Sequence, residues 1–233
     1  MSAPSSTRAV VFDFDGVIAN SEPLHFRGFR DVLAGEGIEL SEADYYARYL
    51  GYDDAGAFLA VAADRGVSLR SAQLVELVRR KAIRLEELER DHSVLFPGAA
   101  DVIRQLAARC PLAIASGAIR PEIERVLQRE GLSVHFQTIV AAGDTPVSKP
   151  APDPYARAVE LLSAATGVAL APGECVAIED SRWGLESARA AGLRTIAVAH
   201  TYPADVLEAD AVVTELAVLT WEFVSSVGYR RDE

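Results

Sequence analysis

The sequence is poor in cysteine and has no long apolar run. Its two cysteines, Cys110 and Cys175, lack the CxxC spacing of zinc and redox sites. We therefore expect neither a disulfide framework nor a zinc site, and a reducing cytoplasm is the default compartment.

No apolar run approaches the roughly 20 residues that span a bilayer. The segment Met1–Arg8 is too polar for the start of a signal peptide. Membrane attachment is not expected.

Basic residues are also scarce relative to acidic ones. The 233 residues include 34 acidic and 23 basic side chains, which gives a net charge of -11. Such a balance repels a phosphate backbone, so no nucleic-acid partner is expected. With 50% hydrophobic residues, the chain can bury the core of one large domain or of a domain that carries an insertion. We expect a soluble protein that is a monomer or a simple homo-oligomer.

Short apolar segments and helical patterns alternate outside a central block. The helical patterns include Ala99–Arg109 and Pro121–Glu130, each with apolar side chains on one face. Unbroken apolar strands between such helices are typical of a parallel sheet that is covered on both faces. The predicted fold class is α/β, with a doubly wound, Rossmann-like parallel sheet. The predicted strands are Ala9–Phe12, Leu112–Ala115, Thr138–Val140, Cys175–Ile178, Thr195–Ala199 and Ala211–Val213.

The central block contains helical patterns and no convincing strand. Ser41 or a neighbour is expected to cap the second of its helices. We predict an α-helical cap domain over residues 21–92, inserted into a core that consists of residues 1–20 and 93–233. The predicted cap helices are Leu24–Glu36, Ala43–Leu50, Ala55–Arg65 and Ser71–Glu89.

Polar side chains follow four of the predicted strands. Open α/β sheets bind ligands outside the carboxyl ends of their strands, so we expect these side chains to converge on one crevice. They are Asp13 and Asp15 after the first strand, Ser116 and Gly117 after the second, Lys149 after the third strand and a loop, and Glu179 and Asp180 after the fourth.

The chemistry of these groups is that of phosphoryl transfer. Four carboxylates in one crevice repel one another, and a hard divalent cation such as Mg²⁺ is the natural compensation. A carboxylate at a strand end, here Asp13, can attack phosphorus and form an aspartyl-phosphate. Asp15 can protonate the leaving group and later deprotonate a water molecule. Ser116, Gly117 and Lys149 can stabilise the phosphate oxygens.

Four short motifs follow one another along the chain, namely Asp13-Phe14-Asp15-Gly16, Ala115-Ser116-Gly117, Ser148-Lys149-Pro150 and Ile178-Glu179-Asp180-Ser181. In these motifs and in their order the sequence resembles the haloacid dehalogenase-like hydrolases. It is most similar to their branch of phosphatases and β-phosphoglucomutases with a helical cap. True dehalogenases lack the second aspartate, so the presence of Asp15 argues for phosphoryl transfer.

The resemblance implies a role for each motif residue. Asp13 is implied as the nucleophile and a magnesium ligand, and Asp15 as the acid/base whose main-chain carbonyl also binds the metal. Asp180, together with Glu179, completes the implied magnesium site. The phosphate-binding residues implied by the resemblance are Ser116, Gly117 and Lys149.

Three cap residues are candidates for substrate contact. Lys81 lies on the apolar stripe of the predicted helix Ser71–Glu89, and two interpretations stay open. Its stem packs while its amine reaches water, or its amine is directed at the cleft between cap and core. A cap lysine at the counterpart position of β-phosphoglucomutases favours the second interpretation. His25 is either a partly buried helix histidine or, as the resemblance suggests, a residue that lines the substrate pocket, and Glu22 is placed similarly.

The expected substrate is a small phosphorylated metabolite such as a sugar phosphate or phosphoglycolate, but other functions stay open. A β-phosphoglucomutase-like transferase needs a cap cation for a second phosphate. Aligned on the cap loop, the mutase arginine falls at the acidic Asp54, which favours hydrolysis. A phosphonate hydrolase would use Lys81 as a Schiff base. A catalytically silent binding protein would have lost a motif residue, and none is missing.

Overall fold

The chain divides into two compact units. The computed structural model describes residues 7–50, 52, 54–90 and 93–228. One unit comprises Met1–Asn20 and Leu95–Glu233, and the other comprises Ser21–Val94. The boundary predicted after His92 lies outside the described residues. Among the residues that are described, no helix is both long and apolar enough to cross a membrane.

The first unit is built on a sheet of six parallel strands in the order β3-β2-β1-β4-β5-β6. The chain moves outward from β1 to β3 on one side and from β4 to β6 on the other. The order therefore reverses between β1 and β4, the place where open α/β sheets bind their ligands. The strands are β1 Ala9–Phe12, β2 Leu112–Ala115, β3 Phe136–Val140, β4 Cys175–Glu179, β5 Arg194–Val198 and β6 Ala211–Val213.

Strand residues alternate between two buried faces of this sheet. On one face Val11 packs in a cluster with Leu162 and Ala188, which belong to two covering helices. The alternate residues Val10 and Phe12 point to the other face and are equally buried. Burial on both faces confirms the predicted doubly wound, Rossmann-like fold class. The helices of this unit are α5 Ala99–Ala107, α6 Arg120–Arg129, α7 Asp153–Thr166, α8 Arg182–Ala190 and α9 Trp221–Ser226.

The second unit is helical, and its described residues contain no strand. Ser41 is the N-cap of its second helix, since its hydroxyl accepts a hydrogen bond from the Asp44 amide (3.1 Å). Its core combines aliphatic and aromatic side chains, among them Phe29 and Phe58 with ring centroids 4.9 Å apart. The helices are α1 Glu22–Ala34, α2 Glu42–Asp44 with a π-helical continuation over Tyr45–Tyr49, α3 Asp54–Asp64 and α4 Ser71–Arg90.

Candidate active site

The turn after β1 places Asp13 at the reversal point of the sheet. The register pairs Phe12 with Ile114 on β2 and with Ile178 on β4, and the Asp13 amide continues this ladder by donating to the Ile178 carbonyl (2.9 Å). Asp15 is half-buried on the same turn. The ends of β1, β2 and β4, three of the four strand ends predicted to converge, therefore lie side by side.

Asp13, Glu179 and Asp180 form a buried acidic cluster. One carboxylate oxygen from each of the three lies within 4.8 Å of the others. Burial raises the pKa of Asp13 well above its usual value, with further increases from the charges of Glu179 and Asp180 and an opposing effect of Lys149. Burial, followed by the charge of Glu179, raises the pKa of Asp180 to about 7. Ionised together, the three carboxylates would carry more negative charge than the Lys149 ammonium beside them compensates.

Lys149 provides the positive charge at this cluster. It lies in the loop between β3 and α7, and its Nζ donates to Asp13 Oδ1 (2.8 Å) and to Glu179 Oε1 (2.6 Å). Burial opposes the charged amine, but the two carboxylates raise the pKa of Lys149 above its ordinary value. The amine is therefore held as an ammonium beside the predicted nucleophile.

Glu179 is the last residue of β4, and hydrogen bonds engage both of its side-chain oxygens. Oε1 accepts from Lys149 and from the Tyr155 hydroxyl (3.0 Å). Oε2 accepts from the amides of Asp180 and Ser181 and from the Ser181 hydroxyl, each at 3.0 Å. Burial alone would raise its pKa, but the Lys149 charge and these hydrogen bonds hold the pKa of Glu179 below its usual value. Glu179 is a fixed anion at the base of the cluster.

Ser116 and Gly117 follow β2 directly. The Ser116 amide donates to the Val140 carbonyl (2.9 Å), and its hydroxyl oxygen accepts from the Ala118 amide (3.0 Å). Because the oxygen acts as the acceptor in this contact, the hydroxyl hydrogen is available for donation to another group. Gly117 is exposed, and apart from its own chain neighbours no atom of the described residues lies within 4 Å of the position that a Cβ would occupy there. The arrangement suits donation to a phosphate oxygen.

Two further residues at this site were not predicted from the sequence. Tyr155, in the first turn of α7, is fully buried and donates to Glu179. His200 follows β5, and its Nδ1 lies 2.9 Å from the Gly16 carbonyl oxygen while its ring stacks on Phe96. The strand-end rule that selected Asp13 would have selected His200 as well. Tyr155 gave no such signal, because it lies on the apolar face of its helix.

The three predicted cap residues lie within the second unit. Lys81 Nζ donates to Asp54 Oδ1 (2.6 Å) and lies 2.9 Å from His25 Nδ1. The side chain of Lys81 is 1% exposed, so the interpretation in which its amine reaches water is wrong. Glu22 accepts a hydrogen bond from the Tyr45 hydroxyl. These contacts join His25 to Lys81 within the cap.

Comparison with known proteins agrees with this geometry. A family model described as haloacid dehalogenase-like hydrolase matches residues 7–192. The chain belongs to the haloacid dehalogenase-like hydrolase family. The four motif segments all fall within the matched residues, so the family and the enzyme class predicted from the motifs are confirmed.

Relatives of this haloacid dehalogenase-like hydrolase include a protein named as a phosphatase and a protein named CbbY. Hexitol phosphatase B of Escherichia coli K12 is 33% identical over 230 residues, covering 94% of this chain and 97% of the relative. Protein CbbY of Rhodobacter capsulatus is 32% identical over 202 residues, covering 84% of this chain and 86% of the relative. A crystal structure of a CbbY variant from Rhodobacter sphaeroides with xylulose-1,5-bisphosphate has a TM-score of 0.79 at 25% identity, covering 94% of this chain and 99% of that one.

Proposed function

We propose that the protein is a magnesium-dependent phosphatase that hydrolyses a small sugar phosphate or a related metabolite through an aspartyl-phosphate on Asp13. The observation that carries the proposal is the Lys149 ammonium, which is hydrogen-bonded to Asp13 inside a buried acidic cluster. A carboxylate beside a fixed cation can approach an anionic phosphate that it would otherwise repel. We propose a small phosphorylated metabolite as the partner and the cytoplasm as the location of the enzyme.

The cluster fits a divalent cation. Its carboxylates are oxygen ligands, which Mg²⁺ prefers. Burial, together with the repulsion of the neighbouring carboxylates, raises the pKa values of Asp13 and Asp180, and a cation would offset both effects. Asp13, Asp15 and Asp180 would hold the ion. Glu179 was also predicted as a ligand, but since both of its oxygens already accept hydrogen bonds, we propose that it mainly anchors Lys149. A bound Mg²⁺ supplies a Lewis acid that neutralises phosphate charge.

The residues of this chain then divide the reaction. Asp13 attacks phosphorus, so that a bond forms between its carboxylate oxygen and phosphorus while the ester bond to the leaving oxygen breaks. Asp15 gives its proton to that oxygen. In the second half Asp15 takes a proton from water, which attacks phosphorus and releases phosphate from Asp13. Lys149 and the Ser116 hydroxyl donate hydrogen bonds to the phosphate oxygens during both steps.

Hydrolysis is favoured over a mutase reaction by the charge of the cap. A mutase must hold a second phosphate, for which an arginine fork is suited. Here the position aligned with that arginine is Asp54, whose carboxylate compensates the Lys81 ammonium. A phosphonate hydrolase is also disfavoured, because a Schiff base needs a neutral amine and Lys81 is paired with a carboxylate. We propose that His25, Lys81 and Glu22 influence substrate choice.

Replacement of the nucleophile tests the proposal. Asp13→Asn should lower Mg²⁺-dependent phosphate release from p-nitrophenyl phosphate and hexitol phosphates by about 1,000-fold or more, because amide oxygen is a poor nucleophile. Asp101→Asn is the matched control, since the Asp101 side chain is 89% exposed on α5. Undiminished turnover by the Asp13→Asn protein would refute the mechanism. Magnesium binding without turnover of any phosphate ester would favour the silent binding protein.

The transferase alternative has its own assay. β-Glucose 1-phosphate with a bisphosphate primer should give no glucose 6-phosphate with the wild-type protein. Formation of glucose 6-phosphate at a rate above that of phosphate release would establish the mutase instead.

A further inference from the structure

Tyr155 lies beside the acidic cluster and takes no part in the steps above. It is fully buried, and its hydroxyl donates to Glu179 Oε1 (3.0 Å), the oxygen that also accepts from Lys149. Its ring centroid lies 4.9 Å from Lys149 Nζ. We propose that Tyr155 is a positioning residue that holds the Lys149 ammonium in the phosphate-binding site. The inference rests on the proposed function, because it assigns Tyr155 to the same site.

A lysine amine needs several contacts to keep one position, because its four-carbon stem is flexible. At Lys149 two carboxylate oxygens accept hydrogen bonds and the face of the Tyr155 ring attracts the cation. The ring and the Asp13 and Glu179 carboxylates thus constrain the amine together. An ammonium has three N–H donors. Two of them are used, which leaves the third for a phosphate oxygen.

The Tyr155 hydroxyl acts through Glu179. Oε2 of that carboxylate is fixed by three donors from the chain that follows β4. Oε1 has hydrogen bonds from only two described groups, Lys149 and Tyr155. Without the Tyr155 hydroxyl, Oε1 would be positioned by Lys149 alone, although Oε1 is itself the group that positions Lys149. The hydroxyl therefore gives the carboxylate an orientation that is independent of Lys149.

A packing role for Tyr155 predicts different behaviour. Its helix neighbours Ala158, Val159 and Leu162 are apolar core residues, and a phenylalanine ring would fill the same space among them. If Tyr155 only packed, Tyr155→Phe would preserve function and remove an unneeded buried polar group. If it positions Lys149, the same change preserves packing and impairs the chemistry.

Kinetics separate these two roles. With p-nitrophenyl phosphate and Mg²⁺, Tyr155→Phe should lower kcat about ten-fold with little change in the unfolding temperature, because a hydrogen bond to a charged group is lost. Tyr155→Leu should lower kcat about 100-fold. Val159→Ala is the matched control, because it removes buried volume one turn along α7. It should lower the unfolding temperature and leave kcat and KM at their wild-type values.

A second readout does not depend on activity. The chain contains two lysines, Lys81 and Lys149, so protein labelled with ¹³C-lysine gives two side-chain Hε–Cε signal sets. The loss of one set in Lys149→Gln assigns them. The Lys149 Hε signals should be shifted upfield by the Tyr155 ring. They should move in Tyr155→Phe and approach the values of a free lysine in Tyr155→Leu. The Lys81 signals should stay unchanged in both variants.

The two readouts distinguish failure of this inference from failure of the proposed function. Wild-type kcat in Tyr155→Phe, or unchanged Lys149 signals in both Tyr155 variants, would overturn the positioning role. An equal loss of kcat in Val159→Ala would mean that Tyr155 acts only through packing. If the wild-type protein cleaves no phosphate ester, the proposed function fails, and the Lys149 signals alone decide whether Tyr155 positions the amine.

Discussion

At the residue scale, Gly16 allows the turn after β1, which carries Asp13, to pack directly against the acidic cluster. Its φ is +78°, and a Cβ added there would lie 1.9 Å from Asp180 Oδ2. Any side chain must therefore displace the Asp180 carboxylate, in addition to the cost of about 1–2 kcal/mol for a left-handed backbone. The Gly16 carbonyl oxygen lies 2.9 Å from His200 Nδ1, so the turn is also tied to the loop after β5.

Gly16→Ala should consequently abolish most activity. We expect kcat to fall by about 100-fold or more, together with weaker Mg²⁺ binding in isothermal titration, because a candidate ligand is displaced. Gly143→Ala is the matched control, since Gly143 has φ +86° but, beyond its chain neighbours, no atom in the described part of the chain lies within 4 Å of its Cβ position. Gly143→Ala should lose a similar amount of stability, because alanine is also strained at a positive φ, but it should keep wild-type turnover. Equal losses of activity in both variants would contradict a specific clash with Asp180.

Sequence patterns locate ionisable groups at strand ends but not their pairing. Asp13 and Asp180 follow buried strands and Lys149 follows β3 after a loop, and parallel strands bring such positions together whatever the side-chain details. The sequence cannot tell which donor reaches which oxygen of Glu179, because this depends on the turn after β4. Tyr155 escaped prediction for a related reason. An aromatic residue on an apolar helix face has the pattern of a core residue, and only the structure shows its hydroxyl against Glu179.

At the scale of the elements, strand bounds were predicted more closely than helix bounds. Strands β1, β2 and β6 agree with the predicted ranges. For β1 and β2 the reason is that a strand buried on both faces begins and ends with its apolar run, whereas the edge strand β6 is only partly buried. The second cap helix is shorter than predicted and continues as a π-helical turn over Tyr45–Tyr49. Over a segment this short, the positions of the apolar residues do not show whether a turn is α-helical or π-helical. The sequence therefore predicted one continuous helix.

Helices α3 and α4 of the cap are joined by a buried ion pair. Lys81 is almost fully buried and Asp54 about one third exposed, so removing the carboxylate leaves a buried ammonium with His25 as its neighbour. Asp54→Asn should lower the free energy of unfolding by about 2 kcal/mol, which is less than for a fully buried pair because solvent reaches Asp54. Lys81→Met should lower the free energy of unfolding by less, because an apolar side chain can occupy this buried position without leaving an unpaired charge there.

A double-mutant cycle measures this pair. The protein with both changes should be about as stable as Lys81→Met alone in thermal unfolding, because no uncompensated charge is left. Exposed Arg79, which pairs with Glu76 on the outer side of α4, provides the control pair. Strict additivity of Asp54→Asn and Lys81→Met would mean that the contact contributes nothing to the stability of the cap.

At the scale of the whole molecule, the acidic cluster links stability to pH and to metal. Burial raises the pKa of Asp180 to about 7, whereas the pKa of an aspartate in the unfolded chain lies near 3.8. Between these values the metal-free folded protein binds more protons than the unfolded chain. Its stability must therefore fall as the pH rises through this window. Asp13, whose pKa is also raised by burial, acts in the same direction.

With a chelator, the free energy of unfolding should consequently be lower at about pH 8 than at about pH 5.5, by an amount on the order of 2–4 kcal/mol, and the thermal midpoint should be lower as well. Millimolar Mg²⁺ should restore most of this loss at the higher pH and little at the lower one, because protonated carboxylates compete with the ion. Asp180→Asn cannot ionise at that position, so it should flatten the pH dependence and weaken the response to Mg²⁺. A chelated wild-type protein whose midpoint rises between these two pH values would contradict the charge balance inferred for the site, and with it the reason for expecting a cation there.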